Sequence, residues 1–205
     1  MLVNILFMLP RASSSAVWKA LSSPGFLIHE QVLNSQLYKD SSRAADAAAA
    51  QESWLDLTLA GKAARFTVAF AHIPPFISDP DEADGYFPLA KSVRRPLLRK
   101  LSSGGVGHVF CGHYHRNAGG FYRGDGDGGG GVGSAAVVEV VTTAAVGGNI
   151  TTRMDGGDPL GLTGMGSVVA SASLTGVRIV TMAPQGVRHR FVSLVDLEAQ
   201  VATDE

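Results

Sequence analysis

The sequence predicts an α/β fold, and three observations predict it. Two short runs read as strands: Phe66–Ala71, continuously apolar like a strand buried on both faces, and Val106–Phe110. A helix-forming stretch precedes each of them. Three histidines, His72, His113 and His115, fall just past the ends of those two runs, at the sheet edge where open α/β folds gather their sites.

In chain order, 26–34 (FLIHEQVLN) reads as a partly buried strand. Residues 43–59 are alanine-rich and then gain Trp54, Leu55, Leu57 and Leu59, a helix by propensity with Gly61 as its stop and Trp54 and Leu55 expected in the core. The strand Phe66–Ala71 ends at His72, because Pro74-Pro75 cannot donate to a ladder. The acidic stretch Asp79–Asp84 reads as a solvated loop or a substrate-shaping lid. Residues 89–101 form an amphipathic pattern in which Pro96 predicts a break or a late start. The strand Val106–Phe110, with His108 packed on it, then runs into Cys111-Gly112-His113-Tyr114-His115. Beyond Gly120, the β-rich runs 137–141, 177–182 and 187–194 follow; the last two form a hairpin about Pro184-Gln185-Gly186. Residues 195–201 read as a short terminal helix, and the low-complexity run 125–133 as a flexible loop.

Charged residues make up 17% of the chain and the net charge is −1, so neither nucleic acid nor an anionic membrane surface is an expected partner. No run approaches the roughly 20 apolar residues of a membrane span. The lone Cys111 excludes an internal disulfide and reads as a small core residue. Residues 1–29 carry no acid, with Arg11, Lys19 and several serines, a composition shared with organelle transit peptides. The cytoplasm is the expected location.

Chemistry concentrates in Gly112-His113-Tyr114-His115. In an extended segment, residues two apart project the same way about 6–7 Å apart, a spacing that could serve two metal ions about 3.5–4 Å apart. The same four residues equally fit two surface histidines in a loop. His72, fixed by the stiff Pro-Pro turn, is the natural third ligand or a strand-end cap. Arg116 and Asn117 stand beside the motif as expected substrate or supporting contacts, or as loop structure. No residue is assigned a catalytic role of its own.

Four stretches in order resemble calcineurin-like metallophosphoesterases: Val32–Tyr38, Gln51–Leu55, Ala71–Phe76 and Gly112–Gly120 (GHYHRNAGG). The nearest subgroup is the calcineurin-like phosphoesterase domain-containing Ser/Thr phosphatases of the complete S-transactivated type. Asp84–Leu89 (DGYFPL) and Val187–Leu194 also resemble that subgroup. The resemblance runs over 31–197, interrupted by glycine-rich insertions near 124–134 and 151–166. It implies the C-terminal part (26–201) of a four-layer αββα sandwich, after a segment 1–25 that resembles nothing in the family and reads as poorly packed or disordered. It further implies that His72 and His113 bind one divalent metal ion and His115 a second, the metals being iron, manganese or zinc. The activity implied is hydrolysis of a phosphomonoester or phosphoprotein.

The family's carboxylate motifs, D-x-H, G-D-x-x-D and G-N-H-[D/E], do not occur upstream of His72. Two dications about 4 Å apart repel by about 17 kcal/mol at an effective dielectric near 20, and neutral imidazoles do not offset that. The expectation is therefore a phosphoesterase by kinship whose 205 residues hold at most one metal and are inactive alone. The alternatives are a silent fragment that binds a partner or a single ion, and the product of an incomplete gene model.

Overall fold

The computed structural model describes residues 3–5, 28–61, 66–124, 137–145, 149–150, 168–169 and 175–203. Apart from Gly124, both glycine-rich insertions lie outside the described residues, as does all of segment 1–25 except 3–5. In chain order the elements are β1 (Val3–Ile5), β2 (Ile28–Leu33), α1 (Ser35–Lys39), α2 (Ala45–Ala60), β3 (Phe66–Ala71), α3 (Lys91–Ser103), β4 (Val106–Cys111), β5 (Ala118–Tyr122), β6 (Val138–Thr142), β7 (Asn149–Ile150), β8 (Val168–Val169), β9 (Gly176–Ala183), β10 (Gly186–Ser193) and α4 (Leu194–Thr203).

The expected α/β class is what the structure shows. A five-stranded sheet has the order β2-β3-β4-β6-β5. Its first four strands are parallel, and β5 closes one edge antiparallel to β6. A smaller antiparallel sheet has the order β1-β9-β10, and β7 pairs with β8.

Period-two alternation splits the buried side chains of the large sheet between two cores. Ala69, Ala71, Val109 and Val140 face the helix layer, where Leu55 and Leu59 of α2 and Leu97, Leu98 and Leu101 of α3 pack on them. Val68, Phe70, Phe110 and Val141 face the small sheet, meeting Val180 and Met182 of β9. Phe70 and Phe110 stack with ring centroids 5.7 Å apart. The order is helices, large sheet, small sheet. The polar edge between the two sheets is the part that bears on function.

Four local features differ from the sequence-based expectation. Helix α3 is unbroken: Pro96 sits inside it. The lost backbone donor costs about 3 kcal/mol, offset by three buried leucines and by Arg94, which is fully buried. Arg94 donates to the carbonyls of Pro80 (2.9 Å), Leu89 (3.0 Å) and Glu82. Trp54 is 42% exposed, whereas its neighbour Leu55 is fully buried, because adjacent helical positions point about 100° apart and only one can face the sheet. The short helix α1 follows its cap Asn34, whose side chain accepts from Gln36 N at 3.2 Å. Strand β5, absent from the sequence reading, contains Gly119 at φ +147°, where an added Cβ would lie 2.1 Å from the Val140 carbonyl.

The acidic stretch is an anchored loop. The Glu82 carboxylate accepts from the backbone of Ile77 (2.7 Å) and Ser78 (3.0 Å), closing the loop on itself. Lys39 donates to the carbonyls of Gly85, Tyr86 and Pro88 at 2.8–3.1 Å. These ties hold Tyr86 and Phe87 beside the next feature.

Candidate functional site

The C-terminal ends of the parallel strands are laced together. Ile73 N donates to Ser35 Oγ at 2.8 Å, Gly112 N to the His72 carbonyl at 3.1 Å, and Thr143 N to the Cys111 carbonyl at 2.9 Å. The lacing fixes where the chain leaves β2, β3, β4 and β6, and so brings His72 beside the segment 112–115.

That segment is not extended. His113 and His115 have φ +66° and +57°, left-handed backbone that costs about 1–3 kcal/mol for a non-glycine residue. The expected alternation of extended residues therefore gives way to two tight turns. The pairwise ties at the strand ends, not the local sequence, impose this geometry.

His72, His113 and His115 all line one cavity of about 300 Å³. The rings of His72 and His113 meet edge to face with centroids 5.1 Å apart. Tyr86 and Phe87 flank His113 at 5.6 and 5.7 Å, and Phe87 packs edge-on against Tyr114 at 4.9 Å. Phe70, Phe110 and Val180 line the cavity with apolar side chains, together with Thr143, just past β6, and Arg178 of β9. Burial and then the neighbouring His72, Lys39 and His115 push the His113 imidazole down to about 4. His72 is exposed by surface area, yet the protein atoms packed about its ring, followed by His115, still lower it. These two rings are neutral near pH 7, with a lone pair available to a metal ion or a donated proton. Cys111 is fully buried and its thiol is pushed up by burial, so it is poorly suited to act as a nucleophile.

The ligand set stops at nitrogen. Among the described residues no Asp or Glu lines the cavity, and no group of three or more His, Cys, Asp or Glu is disposed to hold a metal ion. A two-metal centre needs a bridging anionic ligand to offset cation repulsion, so these residues do not by themselves fit a metal pair.

Of the two flanking residues singled out from sequence, Arg116 lies over the Tyr114 ring at 5.2 Å and donates to its hydroxyl at 3.3 Å. The Asn117 side-chain oxygen accepts from Arg178 Nη2 at 2.8 Å and from Ala144 N at 3.4 Å. Sequence reasoning singled out Asn117 but missed Arg178 and its other partners, Thr143 and His189. The available signal was a lone cation interrupting the otherwise apolar run 177–182.

Among the described residues, no helix is long and apolar enough to cross a membrane. No family model matches the chain. Three curated relatives share the name "Serine/threonine-protein phosphatase CPPED1". The chain is 34% identical to the Bos taurus protein over 177 residues, covering 85% of this chain and 46% of the relative. It is 35% identical to the Mus musculus protein over 169 residues (81% and 44%), and 33% identical to the Homo sapiens protein over 178 residues (85% and 46%). A solved structure described as "GAP50 the anchor in the inner membrane complex of Plasmodium" superposes with TM-score 0.52 at 12% identity, covering 95% of this chain and 50% of that one; that likeness is one of fold. By sequence the chain is therefore similar, over more than four-fifths of its length, to curated serine/threonine-protein phosphatases, and it spans about half the length of those relatives.

Proposed function

We propose that this chain carries the histidine side of a calcineurin-like metallophosphoesterase site, one that acts on phosphomonoesters or phosphoproteins. The observation that carries the reading is the meeting of His72, His113 and His115 on one cavity at the strand-end edge. The similarity to phosphatases supports it. The neutral imidazoles would hold a divalent ion. A carboxylate would have to come from outside the cavity lining described here before a second ion could join it.

It follows that the 205-residue chain holds at most one divalent ion and does not turn over a phosphate ester on its own. The cavity lining, free of carboxylates, also favours a second reading, a silent module that binds one ion or a phosphorylated partner. Two measurements separate the readings. Calorimetric titration with zinc or manganese is expected to show at most one site per chain, lost in His113→Ala. Manganese-dependent hydrolysis of an aryl phosphate is expected to stay at background. Turnover abolished by His113→Ala would show that the chain is active alone, and a folded chain that takes up no divalent ion would remove the metal reading.

A further inference from the structure

Opposite the histidines, the same cavity is lined by Arg178 of β9. Its guanidinium donates through Nε to Thr143 Oγ1 at 3.0 Å and through Nη2 to Asn117 Oδ1 at 2.8 Å. Nη1 lies 2.9 Å from His189 Nδ1. Arginine has no acceptor, so that ring nitrogen accepts and the His189 hydrogen resides on Nε2. From there it faces Glu139 Oε1 at 3.2 Å, while His108 Nε2 faces the other Glu139 oxygen at 3.3 Å.

The consequence concerns charge. All three hydrogen-bond partners of the guanidinium are neutral groups, and the carboxylate behind them is one imidazole away. Burial works against the Arg178 charge and Glu139 only partly supports it. A guanidinium has five N–H donors in a fixed fork. With three directed at Thr143, Asn117 and His189, one hydrogen remains on each terminal nitrogen. Two remaining donors on the terminal nitrogens of a partly desolvated cation, in a cavity with no Asp or Glu among its described lining residues, suit charge-assisted recognition of a tetrahedral oxyanion.

We propose that Arg178 is the specificity-determining residue of the cavity, a pre-oriented fork for the phosphoryl oxygens of the ligand, with Asn117, Thr143 and His189 as positioning residues. The proposal rests on the phosphoesterase reading only for the choice of anion and needs no bound metal. The neutral partners, Asn117 before β5, Thr143 after β6 and His189 on β10, hold the fork in place without cancelling its charge.

The test uses the full chain washed free of metal with a chelator and titrated with inorganic phosphate, with phenyl phosphate in a parallel arm. Binding by the ester but not the free ion would assign the fork to esters, and binding of both to the phosphoryl group itself. Wild type is expected to bind saturably. Arg178→Gln should weaken binding by about tenfold or more, the scale of a charge-assisted hydrogen bond, and Arg178→Lys by less. A second measurement needs no variant: phosphate should slow phenylglyoxal modification of Arg178 while leaving the exposed Arg188 and Arg190 of the same hairpin unchanged. Phosphate binding equal in wild type and a folded Arg178→Gln, no saturable binding by wild type, or equal protection of all three arginines would each overturn the proposal and leave Arg178 as a tie between sheets. Because the titration excludes metal, failure of metal uptake in the earlier experiment does not bear on it.

Discussion

The molecule holds two groups of histidines, and they are built on opposite principles. His108 and His189 sit between the sheets with Glu139 between them, each imidazole facing one carboxylate oxygen. The rings of His108 and His189 lie 6.1 Å apart, and Phe110 packs against both. His72, His113 and His115 share a cavity with no carboxylate, and two of the three sit in left-handed backbone. The first group has its polar atoms answered by neighbours on regular strands. In the second, His113 and His115 sit in unfavourable backbone, the His113 ring has one hydrogen bond, to the Tyr86 backbone, and no carboxylate is at hand. The contrast teaches that residue type alone does not mark a site. Strained backbone around side chains that share a cavity does.

The largest effect expected from this contrast is on stability. Glu139→Ala strips the acceptor from two imidazoles that are 18–21% exposed at the side chain. Leaving such donors unpaired costs about 1–3 kcal/mol each, so we expect a loss of about 2–4 kcal/mol in urea unfolding. His72→Ala, at an exposed ring, should cost under about 1 kcal/mol. Comparable losses for both variants would dissolve the distinction.

How much of this was legible in the sequence follows from the same contrast. Strands β3 and β4 were readable because both faces of each are buried, which demands an apolar run. Helix α2 was readable from alanine propensity, and the β9–β10 hairpin from its Pro-Gln-Gly turn. Strand β5 was not, since Ala118-Gly119-Gly120-Phe121-Tyr122 has poor strand propensity. Its ladder comes from the waiting edge of β6, and Gly120 is required because an added Cβ would lie 2.6 Å from the Ser78 carbonyl. The three cavity histidines could be assigned to the right edge from where the strands end. Their left-handed turns could not, because long-range ties such as Gly112 N to the His72 carbonyl impose them. Arg178 was hidden for a related reason: Asn117 and Thr143 lie in loops 61 and 35 residues away in sequence, and only His189 is on the neighbouring strand.

The second expected effect is on pH dependence. The His113 imidazole moves from an ordinary 6.5 to about 4 in the fold. Between those values the unfolded chain takes up a proton that the folded chain refuses. This group therefore makes stability fall as pH drops from 6.5 to about 4, and adds no further slope below that. His113→Gln should flatten that part of the curve when urea midpoints are compared across the window. An unchanged slope would mean that His113 is better solvated than its cavity implies. His189→Gln is the contrasting variant: Gln can still accept from Arg178 and donate to Glu139, so its effect on stability should be small.

The smallest effect has the most telling sign. At φ +57°, His115 occupies a conformation that glycine adopts without a Cβ penalty. Replacing it with glycine relieves backbone strain of about 1–3 kcal/mol but adds entropy to the unfolded chain and removes the packing of a half-buried ring. The balance expected for His115→Gly is a gain of up to about 1 kcal/mol, seen as a higher thermal midpoint, together with weaker divalent-ion binding. The comparable change at His189, on a regular strand with both ring nitrogens answered, has no strain to relieve and should destabilise. A protein made more stable by deleting a residue that binds its ligand has been holding that residue against its backbone preference. If both glycine variants lose stability alike, the left-handed turn at His115 is an ordinary turn, and the case for a purpose-built cavity weakens with it.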